Sequence, residues 1–113
     1  MAQVKTSELT GAALDYAVAK CEGLGKVSDI YFKDYSSDWY QGGQIIEREG
    51  ITITPLSAVA QVKYGAKWET FQWDDDKNDC KNHATGETPL IAAMRCYVAS
   101  KLGDVVDVPD ELL

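Results

Sequence analysis

The sequence predicts an α+β fold: a small single domain in which a short antiparallel β-sheet packs against two main helices, at about residues 10–23 and 89–102. Two observations carry this prediction. The two longer segments have the three- and four-residue apolar spacing of helices, and the segments between them are short and rich in β-branched and aromatic residues. Because the 113 residues contain no internal repeat and no linker, we expect one domain over residues 1–113.

The second of these helices is the most clearly marked element. Thr88 and Pro89 are typical of a helix start, because a threonine hydroxyl caps the first turn and proline fits the first helical position. Lys101 suits the negative end of the helix dipole, and Gly103 suits a left-handed stop. The predicted buried stripe consists of Leu90, Ile91, Met94, Tyr97, Val98 and Leu102.

The first helix is predicted to run from Thr10 to Gly23. Thr10 is the expected cap, Gly23 is the expected stop, and Leu9 and Leu14 occupy the two positions of a hydrophobic staple. The predicted buried face consists of Ala13, Leu14, Ala17, Val18 and Cys21.

The rest of the chain is divided between strands and loops. Strands are predicted where β-branched and aromatic residues cluster, at Val27–Phe32, Ile51–Pro55 and Trp68–Trp73, with a short extended segment through Val105, Val106 and Val108. Asp34–Gly43 is predicted to be a loop, and Asp74–Glu87 an exposed, mobile loop, because both are rich in turn-forming residues. Gln44–Glu49 fits a short strand or a helical turn, and Leu56–Tyr64 fits neither period.

Charge and composition exclude several classes of function. The net charge is −7 and the eleven basic residues are scattered, so we expect neither nucleic-acid binding nor binding to an anionic membrane. The sequence contains neither a membrane-spanning run nor a secretory apolar core, and Cys21, Cys80 and Cys96 form no close pair. We therefore expect reduced thiols and a soluble, cytoplasmic protein. The sequence leaves its oligomeric state open, including a homo-oligomer.

Metal and catalytic motifs are incomplete. Asp74, Asp76 and Asn78 match the opening of a calcium loop, but Asp79 stands where that loop needs glycine and Thr85 where it needs glutamate. Cys80 and His83 make only half of a zinc site, and His83 is the sole histidine. The sequence therefore predicts no metal, no cofactor and no enzymatic activity.

The segment from Tyr35 to Gly43 is the candidate binding site. Aromatic rings suited to stacking stand beside hydrogen-bonding side chains, and two adjacent glycines permit close backbone approach. This chemistry is typical of a pocket for a planar polar ligand, with candidate residues Tyr35, Ser36, Ser37, Asp38, Trp39, Gln41, Gly42 and Gly43. The alternative is structural, with Trp39 packed over a sheet edge and the polar residues building a turn.

Three charged residues complete the candidate site. Arg48 and Arg95 are the cations proposed to bind an anionic group, and Glu47 is the acidic residue nearby. Each has a structural alternative. Residues 47–49 have the pattern of a surface ion-pair strip, and Arg95 is expected to form a salt bridge with an acidic residue.

Three segments resemble the NinX family of tailed-phage accessory proteins. They are residues 5–23 (KTSELTGAALDYAVAKCEG), 38–50 (DWYQGGQIIEREG) and 89–104 (PLIAAMRCYVASKLGD), the last followed by a valine-rich tail to Pro109. The chain departs from the family mainly around Asp74–His83. The resemblance implies one NinX-like domain, encoded among nonessential phage or prophage genes and acting in the bacterial cytoplasm. The family's biochemical function is unknown, so no catalytic residue carries over.

Three functional hypotheses follow. The first is a non-enzymatic phage protein that binds a small nucleotide-like ligand and sequesters a host defence signal, with Trp39 or Tyr35 stacking and Arg48 or Arg95 holding a phosphate. The second is an acidic adaptor that inhibits or redirects a host protein. The third is a hydrolase that uses the carboxylates of Asp38 and Glu47.

Overall fold

The computed structural model describes residues 1–24 and 33–113. Within them it confirms the α+β class, but it contains four helices and two antiparallel sheets instead of two main helices and one sheet. The predicted strand at Val27–Phe32 lies outside the described residues. The elements are β1 (Ala2–Lys5), α1 (Gly11–Cys21), α2 (Trp39–Glu49), β2 (Thr52–Pro55), α3 (Ala58–Tyr64), β3 (Trp68–Asp74), β4 (Asp79–Gly86), α4 (Pro89–Leu102) and β5 (Val105–Val108).

Helix α4 begins and ends as predicted. The Thr88 hydroxyl accepts a hydrogen bond from the Ile91 amide at 3.1 Å, Pro89 occupies the first turn, and Gly103 has a φ of +82°. The predicted buried stripe was too narrow, because Ala92, Ala93 and Cys96 are also buried. The reason is that α4 packs against the β2–β3–β4 sheet as well as against α1 and α2, so most of its circumference lies in the core.

The two sheets lie on different parts of this helical core. In the three-stranded sheet, Thr52 of β2 pairs with Phe71 of β3, and Trp68 of β3 pairs with Gly86 of β4. The second sheet pairs β1 with β5, and β5 contacts α1. The predictions for β2, β3 and β5 are confirmed, whereas β1 was not predicted.

The prediction of a long mobile loop at Asp74–Glu87 is wrong, because only a short turn separates β3 from β4. The Asp74 carboxylate accepts the amides of Asp76 and Lys77 at 3.1 and 3.3 Å, and Asn78 adopts a φ of +51°. Acidic residues therefore build a tight turn here. The sequence of β4 is polar because, in the sheet that the described residues form, β4 lies at the edge and its surface is largely exposed.

The start of α1 follows the prediction only in part. Leu9 and Leu14 are both buried, as a hydrophobic staple requires. Thr10 occupies the cap position, but its side chain makes no capping hydrogen bond, so the expected hydroxyl cap is wrong. The ambiguous segment Leu56–Tyr64 contains the short helix α3, which Ser57 caps through the Ala60 amide at 3.2 Å.

The predicted loop at Asp34–Gly43 is wrong in its second half, where α2 begins at Trp39. Asp38 caps this helix by accepting the Tyr40 amide at 2.9 Å, a role that an aspartate before a helix commonly takes. Position 42 inside the helix is a glycine because neighbouring residues pack too closely there to leave room for a side chain. A Cβ at Gly42 would lie 2.5 Å from the Tyr35 carbonyl oxygen and 2.6 Å from Leu90 Cδ2.

A polar network joins the ends of α1, α2 and α4. Arg48 donates two hydrogen bonds to the Glu22 carboxylate, at 3.0 and 2.7 Å, and one to Glu49 at 2.9 Å. Arg48 also donates to the Tyr97 hydroxyl at 3.1 Å, and that hydroxyl donates to Glu22. The hydrogen bonds from Arg48 are the largest cause of a lowered Glu22 pKa. Arg48, in the ion-pair strip predicted at residues 47–49, thus pairs with Glu22 as well as with Glu49.

Adjacent glycines in α2 provide a test of the close packing. We expect Gly42→Ala to lower the free energy of unfolding by about 1–3 kcal/mol, because the new methyl group overlaps backbone and Leu90 atoms. Gly43→Ala is the matched control, since no atom of the described residues, apart from its chain neighbours and the backbone of its own helix, lies within 4 Å of its Cβ position. We expect Gly43→Ala to raise the free energy of unfolding by about 0.5–1 kcal/mol through helix propensity. Urea unfolding measures both, and equal effects would contradict this packing.

The Arg48 network gives a second prediction. Arg48→Lys keeps the charge but loses the paired hydrogen bonds to Glu22, so we expect the free energy of unfolding to fall by about 1–3 kcal/mol at pH 7. Because the folded pKa of Glu22 is lowered, this stabilisation is present above its ordinary value of 4.5 and is lost as the pH falls through the folded pKa. The difference in the free energy of unfolding between Arg48→Lys and wild type should therefore become smaller as the pH falls. Glu47→Gln, at an exposed neighbour, controls for surface charge.

Candidate functional site

The main cavity of the described residues has a volume of about 910 Å³. It lies where the start of α1 meets the segment before α2, next to the first turn of α4 and the C-terminal residues. The residues that line it are Thr10, Gly11, Ala12, Asp15, Lys33, Asp34, Ser36, Ser37, Ile91, Glu111 and Leu112.

Among the described residues of this lining, acidic groups predominate. Asp15, Asp34 and Glu111 contribute three carboxylates, whereas Lys33 contributes one amine. Ile91 and Leu112 add apolar surface to a lining that also contains several hydrogen-bonding groups. Such a lining is typical of a small-molecule site.

Asp15 is the unusual residue of this site, since only 7% of its surface is exposed. One of its carboxylate oxygens accepts a hydrogen bond from the Ser36 amide at 2.9 Å, which fixes the segment before α2 against α1. Burial raises the pKa of Asp15, and the hydrogen bonds from Ser36 only partly oppose that shift. The negative charge of Asp34 raises this pKa further.

The first turn of α1 lines the same cavity through Thr10, Gly11 and Ala12. The first amides of a helix have no partner inside the helix, and the Thr10 side chain does not cap them. Residues of this first turn and Asp15 therefore line one cavity.

The structure brings only two predicted site residues into this cavity, Ser36 and Ser37. Tyr35 is buried in the core, where burial raises its pKa. Asp38 and Gln41 bond to each other at 3.2 Å, and Gln41 accepts the Asp34 amide at 2.9 Å. These two residues build the turn before α2, as the structural alternative required.

The other predicted residues lie on α2, away from the cavity lining. Trp39 is 55% exposed, so it does not pack into the core. Gly42 and Gly43 belong to the helix and do not form a flexible loop. Glu47 is exposed, and Arg48 is engaged with Glu22 and Glu49 at the C-terminal end of the helix.

Arg95 lies elsewhere, in the wall of a second cavity of about 260 Å³. It donates to the Leu9 carbonyl oxygen at 2.7 Å and to the Thr85 carbonyl oxygen at 2.8 Å. The salt bridge predicted for Arg95 is absent among the described residues, because no carboxylate in the ranges 1–24 and 33–113 lies within 4.0 Å of its guanidinium. Burial lowers the pKa of Arg95, with a smaller opposing effect from Glu87.

The residues considered for metal or nucleophilic chemistry do not converge in the described chain. Cys80 is exposed on β4, and His83 pairs with Glu69 at 2.9 Å. Burial raises the pKa of Cys21 and of Cys96 to about 11 in each case, so neither is a reactive thiolate at neutral pH. Within the described ranges, no group of three or more histidine, cysteine or carboxylate side chains could hold a metal ion.

Sequence reasoning missed most of the cavity. Asp15 carried a usable signal, because it is a lone carboxylate within the apolar run from Ala13 to Val18. Lys33, Ile91 and Glu111 carried no such signal, since their meeting depends on how distant segments fold together.

Of the helices in the described ranges, none combines the length and apolar character needed to cross a bilayer.

Comparison with known proteins assigns the family. No curated protein gives a significant match to the chain. The family described as "Bacteriophage P22, NinX" matches residues 5–101, which include α1, α2, all but the last residue of α4 and residues of both cavities. The matched region covers most of the 113 residues and includes the first two segments that resemble the family and most of the third. The chain therefore belongs to the phage NinX family.

Proposed function

We propose that this protein is a non-enzymatic phage protein that binds a small polar ligand, neutral or positively charged, in the main cavity. The observation that carries the proposal is the buried Asp15 carboxylate in the wall of a cavity of about 910 Å³. Small-molecule sites commonly have volumes of this order. A carboxylate whose charged form is disfavoured by burial, and which lies in a cavity, is a typical functional-site residue.

The charge of the lining determines the proposed ligand class. A phosphate-bearing ligand would meet Asp15, Asp34 and Glu111, with Lys33 as the sole cation among the described lining residues. A cationic or hydrogen-bond-donating group would instead relieve the poorly solvated charge of Asp15. The arginines expected to hold a phosphate, Arg48 and Arg95, do not line this cavity. The acidic lining therefore favours a nucleoside-like ligand over a nucleotide.

Hydrogen-bond donors complete the proposed recognition. The first-turn amides of α1 and the hydroxyls of Ser36 and Ser37 would donate to carbonyl or hydroxyl oxygens of the ligand, and Ile91 would contact an apolar ring. Sequestration of a host defence signal stays a prediction for such a phage protein.

The carboxylate hydrolase is less well supported. Asp38 caps the start of α2 and Glu47 stands near its end, roughly 13 Å away along the helix axis. Pairs of catalytic carboxylates in glycosidases, for comparison, lie at roughly 5–10 Å. The acidic adaptor has one favourable observation, which is the exposed turn that contains Asp75, Asp76 and Asp79.

The buried carboxylate gives a test that needs no ligand. Because the folded pKa of Asp15 is raised, the stability linked to its protonation is full below the ordinary value of 3.8 and is lost as the pH rises through the folded pKa. Asp15→Asn keeps an acceptor for the Ser36 amide but removes the buried charge. We expect a higher melting temperature than wild type at pH 7, with the gain vanishing near pH 3.

Asp107→Asn, at an exposed position on β5, controls for the loss of one negative charge. A melting temperature lowered by Asp15→Asn at pH 7 would show that the carboxylate stabilises the fold, and would remove the main support for a functional role.

A panel of small molecules tests the binding proposal directly. We expect thermal-shift and NMR hits to be enriched among neutral and cationic compounds, and a nucleoside to bind more tightly than its monophosphate. Ala12→Trp should weaken the binding of each hit by about tenfold or more, because Ala12 is an exposed helix residue in the cavity wall. Ala58→Trp, at an exposed position in the first turn of α3, is the matched control.

Hits that bind Ala12→Trp and wild type equally would contradict the assignment of the cavity. A panel without hits would favour the adaptor if a basic host partner is captured in low salt and lost when Asp75 and Asp76 are changed to lysine.

A further inference from the structure

The second cavity has the opposite charge character to the first. Lys5 and Arg95 line it together with His83, whereas Asp104 is the sole acid in its described lining. The protein as a whole carries a net charge of −7, so a cationic concavity is a local exception to its surface. The cavity lies where the end of β1 meets β4 and the middle of α4.

The hydrogen bonding of Arg95 leaves part of its guanidinium available. Nε and one terminal nitrogen donate to backbone carbonyl oxygens of Leu9 and Thr85. The other terminal nitrogen, Nη2, has no hydrogen-bond partner among residues 1–24 and 33–113. Since no fully buried side-chain nitrogen in these ranges lacks a partner, Nη2 keeps some contact with solvent.

This arrangement is electrostatically incomplete. Burial disfavours the charged form of Arg95, and Glu87 opposes this only in part, since no carboxylate among residues 1–24 and 33–113 lies within 4.0 Å of the guanidinium. Neutral carbonyl oxygens compensate a guanidinium less fully than an anion does. His83 is less available than Arg95 to bind an anion, because Glu69 already accepts its hydrogen bond at 2.9 Å.

We propose that this cavity binds a small oxyanion between Arg95 and Lys5. Arg95 Nη2 would donate to one oxygen of the anion, the Lys5 amine would contribute a second positive charge, and the Ser7 hydroxyl could donate to another oxygen. A volume of about 260 Å³ suits a phosphate, sulfate or carboxylate group, so the oxyanion is either a free ion or the acidic end of a larger molecule.

This proposal is independent of the ligand proposed for the main cavity, because the two linings have no described residue in common. It therefore stands or fails separately.

NMR titration of the nitrogen-15-labelled full chain tests the site, with inorganic phosphate as the probe and the ionic strength held constant with sodium chloride. We expect saturable shifts of the amides of Lys5, Ser7, Ala84 and Val105. Lys5→Glu should weaken phosphate binding by about tenfold. Lys77→Glu, in the β3–β4 turn, makes the same change in net charge and should leave the affinity unchanged.

Ala99→Glu provides a second variant, since Ala99 also lines the cavity and a carboxylate there would compete with the anion for Arg95. We expect it to abolish the phosphate shifts. Arg95→Met is less informative, because it also removes two backbone hydrogen bonds. Shifts that do not saturate, or that weaken equally in Lys5→Glu and Lys77→Glu, would overturn the proposal.

A comparison of inorganic phosphate with phenyl phosphate and phenol distinguishes the sources of the oxyanion. Equal binding of both phosphates would support a free ion, and tighter binding of phenyl phosphate would support the acidic end of a larger ligand. Binding of phenol that matches phenyl phosphate would overturn the oxyanion assignment.

Discussion

The two hydrogen bonds from Arg95 to backbone carbonyl oxygens are the contacts on which the arrangement of both cavities depends. They hold the segment between β1 and α1 at Leu9, and the end of β4 at Thr85, against the half-buried side of α4. Leu9 itself is 1% exposed, so the chain crosses α4 there without a gap. The residues just before Leu9 line the second cavity, and those just after it line the main cavity.

The spacing of residues on α4 explains why the two cavities are neighbours. Ile91 lines the main cavity, whereas Arg95 and Ala99 line the second, and residues four apart lie on one face of a helix. One helix face therefore serves two concavities of opposite charge, with Leu9 between them. The charge difference favours different ligands in the two places: a neutral or cationic molecule near Asp15, and an oxyanion near Arg95. Opposite preferences would also limit cross-binding of charged ligands, because each lining would repel the charge that suits the other.

Local sequence signals predicted the elements that depend on local chemistry. Thr88, Pro89 and Gly103 marked α4 correctly because caps and stops act within one turn. The start of α2 was missed since Gly42 and Gly43 are typical of loops, and the close contacts of Gly42 with Tyr35 and Leu90 explain a glycine inside that helix. The site was predicted from side-chain types in one segment, but the cavity forms from four distant segments, of which only Ser36 and Ser37 belonged to that prediction.

The most direct measurement is a crystal structure of the protein purified from bacterial cells, with phosphate added. We expect Arg95 to hold Leu9 between two separate cavities. We also expect electron density for a small molecule beside Asp15 and Ser36, and a tetrahedral anion within hydrogen-bonding distance of Arg95. A structure in which Leu9 is released from Arg95, so that the two cavities merge or close, would contradict it.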